Sequence, residues 1–120
     1  MKILLVDDEE ELVSALAERL GIRGIDAEWV ISGEEALLRV KDGKFDLAVL
    51  DVKLPKLGGR KLKKALQEKC PDMKYIFMTG HGSEDDFQSI SNEVGKEYYL
   101  FKPVDIDDLI KKIKEALHSH

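Results

Sequence analysis

The sequence predicts an α/β fold: a five-stranded parallel sheet in the flavodoxin-like order 2-1-3-4-5, with helices on both faces. Three observations predict it. Short apolar runs alternate five times with amphipathic helical patterns along the chain, as strands joined by right-handed crossover helices do. The runs are apolar at successive positions, as in Ile3-Leu4-Leu5-Val6, so both strand faces are buried. They also stop in polar residues, Asp7-Asp8, Asp51, Thr79 and Lys102. This strand order gathers those residues at one rim, where open α/β sheets hold their ligands.

The first strand, Ile3 to Val6, runs into five acids, Asp7 to Glu11. Two adjacent carboxylates repel by up to about 4 kcal/mol at ~4 Å and an effective dielectric of ~20, which a bound cation would relieve. A plainer role is equally open. Asp7 or Asp8 caps the next helix, and Glu9 to Glu11 favour its positive end. That helix carries Leu12, Val13, Leu16, Ala17 and Leu20, and Gly21 and Gly24 end it. Ala27 to Ile31 is the second strand, with Trp29 expected in the core. Ser32 and Glu35 form a capping-box pattern before Ala36, Leu37 and Val40. This second helix stops near Gly43. The third strand, Phe45 to Leu50, is apolar apart from Asp46 and ends in Asp51.

Lys53 to Gly59 is a loop by its proline and glycines. The third helix holds Leu62, Ala65, Leu66 and Lys69 and ends at Pro71. Tyr75 to Met78 is the fourth strand, followed by the turn Thr79-Gly80-His81-Gly82. A weaker helix spans Ser83 to Val94, with Phe87, Ile90 and Val94 on one face. Its polar, charged continuation, Ser91 to Glu97, leaves its end loosely defined. Glu97 to Phe101 is the fifth strand, broken by Lys102-Pro103. The last helix has the cleanest stripe, Ile106, Leu109, Ile110, Ile113 and Leu117, with lysines opposite.

Composition narrows the function. A chain of 120 residues reads as one domain, 1–120. Its net charge of −5 argues against direct nucleic-acid binding by this domain. Cys70 is the lone cysteine. It excludes an internal disulfide and a multi-cysteine metal site, and it fits a reducing, cytoplasmic location. No apolar run approaches the ~18 residues of a membrane span, so no membrane partner or signal peptide is expected. The chain either stands alone or was cut at a domain edge.

In the predicted order, strands one and three are neighbours. Asp7, Asp8 and Asp51 then form a hard-oxygen nest suited to Mg²⁺, with Thr79 and Lys102 on the same rim. Gly58-Gly59 matches neither phosphate-loop pattern, G-x-x-x-x-G-K-[ST] or G-x-G-x-x-G. His81 has no second histidine near it and reads as a solvated loop residue, and His118 and His120 read the same way.

With these strand ends in order, Asp7-Asp8, Asp51-Val52-Lys53-Leu54-Pro55, Thr79-Gly80 and Lys102-Pro103, the chain resembles the receiver domain of two-component response regulators, of the chemotaxis-regulator kind. The resemblance covers essentially the whole sequence. It implies that Asp51 is the phosphoacceptor, Asp8 a direct Mg²⁺ ligand, Asp7 a ligand through water and the Lys53 carbonyl a third protein ligand. It implies that Thr79 binds the new phosphoryl group, that Lys102 pairs with one of its oxygens, and that Tyr99 is the aromatic switch residue. The bond before Pro103 is expected to be cis. Lys53 and His81 occupy positions that tune the lifetime of the acyl phosphate. A sensor histidine kinase or phosphotransfer protein would supply the phosphoryl group. The output face would be the fourth helix, fifth strand and fifth helix, read by an effector domain or protein. Such a chain is a regulator that catalyses its own phosphorylation and dephosphorylation, and not a turnover enzyme.

Three other functions compete. A flavodoxin-like cofactor carrier wants a Ser/Thr/Gly-rich loop after strand one, where this chain has acids. An aspartyl-phosphate phosphatase commonly needs an acid two residues past the nucleophile, where Lys53 stands. A phosphorylation-independent interaction domain would not need every site residue to be present.

Overall fold

The computed structural model describes residues 1–80 and 99–118. Within it the chain runs β1 (Lys2–Val6), α1 (Glu10–Ile22), β2 (Asp26–Val30), α2 (Gly33–Asp42), β3 (Leu47–Asp51), α3 (Gly59–Lys69), β4 (Lys74–Thr79), β5 (Tyr99–Phe101) and a C-terminal helix (Ile106–Leu117). The five strands form one sheet in the order β2-β1-β3-β4-β5, parallel at every pairing. The predicted helix over Ser83 to Val94, the start of the fifth strand, and His81 and His120 lie outside the described residues.

Successive residues of a strand point to opposite faces, and here both faces are covered. Leu4, Val6, Ala48 and Leu50 pack with Ala36, Val40, Leu62 and Leu66 from α2 and α3. Ile3, Leu5, Leu47 and Val49 pack with Val13, Leu16 and Leu20 of α1 and with Leu109 and Ile113 of the C-terminal helix. That double burial is why the central strands carry unbroken aliphatic runs.

Three local readings need correction. Neither Asp7 nor Asp8 caps α1. Its N-cap is Glu9, whose side chain makes no cap bond. Gly21 lies inside α1, and the helix ends one residue later, at Ile22. Gly24 adopts φ +80°, a backbone region open to glycine. There the Ile25 amide donates to the Leu20 carbonyl at 2.9 Å and that of Gly24 to the Gly21 carbonyl at 3.0 Å, a Schellman ending. Trp29 is 37% exposed rather than buried in the core, because β2 is an edge strand with no strand on its outer side among the described residues. The Ser32 cap holds. Its hydroxyl accepts from the Glu35 amide at 3.1 Å, but the Glu35 carboxylate reaches back to the Ile31 amide, one residue short of a full capping box.

Candidate functional site

The site is built where β1 and β3 stop. Val6 pairs with Leu50, so one step further Asp7 comes level with Asp51. Asp8 follows, and carboxylate oxygens of Asp7, Asp8 and Asp51 lie within 4.8 Å of one another. Asp7 and Asp51 are buried, whereas Asp8 is exposed. The nest therefore has a closed floor and one open side.

Backbone contacts hold the floor. The Asp7 amide donates to the Val30 carbonyl at 3.2 Å, and the Val52 amide donates to that of Met78 at 2.9 Å. Asp7 Oδ1 accepts from the Glu9 amide at 2.9 Å, and Asp51 Oδ1 from the Lys53 amide at 3.3 Å. Behind Asp51 stands Gly59, the first residue of α3. A Cβ there would lie 2.6 Å from the Asp51 carbonyl oxygen and 3.0 Å from Val52 Cα. Only glycine lets α3 start this close to the end of β3.

The opposite wall comes from β4 and β5. Thr79 ends β4, fully buried, and its hydroxyl lies 3.4 Å from the Gly80 carbonyl oxygen. The Lys102 amide donates to the Thr79 carbonyl at 2.7 Å, which fixes where the lysine leaves the sheet. The side chain then returns over the rim. Lys102 Nζ lies 2.9 Å from Asp7 Oδ2, 2.8 Å from Glu9 Oε1 and 3.5 Å from Asp51 Oδ2. The Lys102-Pro103 bond is cis, as expected. Tyr99 begins β5, buried, with its ring 5.2 Å from that of Phe101 in edge-on contact. Lys53 is exposed two residues past Asp51.

The electrostatics follow from this crowding. Burial pushes the Asp7 carboxyl above its ordinary range, although the Glu9 amide and Lys102 pull it back. Burial also raises Asp51, and the charges of Asp7 and Asp8 raise it further against Lys102. Burial alone would lower the Lys102 ammonium. Its contacts with Glu9, Asp7 and Asp51 outweigh this and hold it above the usual lysine range. One ammonium thus faces more carboxylates than it can neutralise. Hard oxygens at this separation, opening to water on the Asp8 side, fit a small divalent cation with waters left in its shell.

The structure gathers Asp7, Asp8, Asp51 and Lys102 at one point and sets Thr79 and Lys53 beside them on the same rim. Two participants escape the sequence. Glu9 reads only as a helix-end acid, yet its carboxylate holds Lys102. Gly59 reads only as loop punctuation, yet it backs Asp51. The signal for Gly59 was its place eight residues past Asp51, at the start of a helix.

Known proteins resemble this chain in sequence and in fold. The family model described as the response regulator receiver domain matches residues 3–114. The chain is 39% identical over 120 residues to the transcriptional regulatory protein CpxR of Escherichia coli K12, covering 99% of this chain and 50% of that protein. It is 36% identical over 116 residues to the alkaline phosphatase synthesis transcriptional regulatory protein PhoP of Bacillus subtilis 168, covering 97% and 48%. It thus spans about half the length of these curated relatives. Among solved structures, the CheY-like receiver domain protein from Methanospirillum hungatei JF-1 superposes with a TM-score of 0.85 at 34% identity, covering 97% of this chain and 92% of that one. No described helix is long and apolar enough to cross a membrane. On the family match and these likenesses, the chain belongs to the response regulator receiver domain family, the phosphorylation-dependent switches of two-component signalling.

Proposed function

We propose that Asp51 is the phosphoacceptor of this switch and that a sensor histidine kinase or phosphotransfer protein of the cytoplasm is its donor. An Asp51 carboxylate oxygen forms the new bond to phosphorus as the donor's bond to phosphorus breaks. Such a transfer needs in-line placement and neutralised oxygens more than covalent help. Asp8 and Asp51 directly, Asp7 through water and the Lys53 carbonyl would hold Mg²⁺. Bound there, it supplies positive charge to the transferring oxygens. The Lys102 ammonium meets a second phosphoryl oxygen, and the Thr79 hydroxyl donates to a third. The same machinery lets the chain phosphorylate itself from a small donor and lose the group to water, with Lys53 and His81 setting that lifetime.

A phosphoryl group adds roughly two negative charges. Thr79 is drawn toward it, Tyr99 follows, and the surface around β5 and the C-terminal helix changes for a downstream effector domain or protein. The equilibrium between two states is biased rather than forced.

One observation carries this reading: the Lys102 ammonium stands 3.5 Å from an Asp51 oxygen that shares a nest with Asp7 and Asp8. Incubation with Mg²⁺ and acetyl phosphate should add one phosphoryl mass, and beryllofluoride should shift the amide spectrum. Asp51→Ala should abolish both, Asp8→Ala should weaken metal binding, and Lys102→Ala should impair the response. An intact mass and a spectrum that stay unchanged in the unmutated chain overturn the proposal.

A further inference from the structure

We propose that Glu9 is a positioning residue: it holds the Lys102 ammonium at the outer side of the nest and has to give it up when Asp51 carries a phosphoryl group. This rests on the phosphoacceptor reading above. Of its carboxylate partners among the described residues, Glu9 Oε1 lies nearest to Lys102 Nζ, at 2.8 Å, while Asp51 Oδ2 stands 3.5 Å away. The ammonium therefore lies nearer to Glu9 than to the group it would have to serve.

The three acids around Lys102 are not equivalent. Asp7 and Asp51 belong to the cluster that can hold a cation, and their charge is then shared with it. Glu9 lies outside that cluster and is exposed, so its charge remains free to compete for Lys102. The contact is not incidental to helix capping. Glu9 occupies the N-cap position of α1 with φ −83° and ψ 90°, and its carboxylate makes no bond to the helix amides. It spans 93 residues of sequence instead. A competing carboxylate weakens whatever else the ammonium binds, and it also repels an incoming anion.

The test compares Glu9→Gln with Glu10→Gln. The second removes an equal charge from the next residue of the same helix. Beryllofluoride is titrated at saturating Mg²⁺ and followed by the amide signals of Thr79 and Lys102. Glu9→Gln should lower the half-saturating concentration by about twofold to fivefold, the range for one exposed ion pair, and Glu10→Gln by clearly less. Glu9→Asp, which keeps the charge on a shorter arm, should fall between Glu9→Gln and the unmutated chain. Equal effects of Glu9→Gln and Glu10→Gln would reduce the role to net charge and overturn the proposal, as would weaker beryllofluoride binding by Glu9→Gln.

The contact is read separately in metal-free protein by a double-mutant cycle on unfolding with Glu9→Gln and Lys102→Met. Non-additivity is expected, and strict additivity overturns the contact. An unmutated chain with no beryllofluoride response at all would instead sink the phosphoacceptor reading, which separates the two failures.

Discussion

The two ends of the sheet treat charge in opposite ways. At the end where the strands stop, Asp7 and Asp51 are buried together and their carboxyls are pushed up. At the end where the strands begin and along the β2 edge, Glu28 is pulled down, chiefly by its bond to Lys2, with Arg39 adding to it. Glu28 Oε2 lies 2.9 Å from Lys2 Nζ, and its Oε1 lies 2.6 Å from Arg39 Nη1. Nearby, Asp46 accepts from the Lys2 amide at 2.7 Å. One end satisfies its acids with cations and amides. The other concentrates acids around one ammonium, and that surplus is what a metal and a phosphoryl group can use. Folding works against the rim and with the far edge.

Backbone packing shows the same contrast, and one substitution made at both ends exposes it. Gly59→Ala at the rim drives a Cβ to 2.6 Å from the Asp51 carbonyl oxygen, a backbone atom that cannot swing aside. It should destabilise the chain by about 2–4 kcal/mol, in the range of overpacking with backbone shift, and displace Asp51. Gly21→Ala, in the last turn of α1, meets nothing within 4 Å. It should stabilise by about 0.5–1 kcal/mol, the helix cost of glycine relative to alanine. Urea unfolding of the two variants measures both. Equal effects would erase the difference in slack between the two ends.

Charge gives the second test. Asp51→Asn removes a buried carboxylate whose ionisation folding opposes. In metal-free buffer at pH 7 it should stabilise the fold by on the order of 1–3 kcal/mol, the scale of like-charge contacts at an effective dielectric of ~20. The sign with pH follows from the raised pKa. The unmutated chain gains stability as pH falls through the folded pKa of Asp51 toward 3.8, so the advantage of asparagine shrinks over that window. A gap that widens on acidification would show that Asp51 is held by Lys102 more than it is opposed by burial and Asp7.

The rim was legible in the sequence because each strand is an uninterrupted apolar run with an abrupt polar stop, and the strand order then decides which stops meet. Asp7, Asp51, Thr79 and Lys102 need nothing more. Glu9 was not legible, because its partner is 93 residues away. Gly59 left only a weak signal, its place at a helix start eight residues past Asp51, and the backbone approach that demands a glycine there shows only in the fold. Trp29 failed for a different reason. Its neighbours Ala27, Val30 and Ile31 look like a core run, and apolar character alone does not separate an edge strand from a central one. The predicted order already put strand two at the edge, and that was the stronger signal.

The smallest effect belongs to the far edge. Glu28→Gln removes the acid shared by Lys2 and Arg39, whose own side chains are 32% and 50% exposed. Solvent screening limits the loss to roughly 0.2–1 kcal/mol. The pKa of Glu28 is depressed in the folded chain, so its contribution is present above the ordinary value of 4.5 and lost as pH falls through the folded value. The unmutated protein and Glu28→Gln should therefore converge in stability on acidification, with the carboxylate form the more stable at pH 7. Asp51→Asn converges instead as pH falls toward 3.8 from above, with asparagine the more stable at pH 7. Thermal unfolding of both variants at pH 7 and pH 4 tests whether the ends have opposite signs. A Glu28→Gln chain more stable than the unmutated one at pH 7 would mean that desolvation outweighs pairing at both ends.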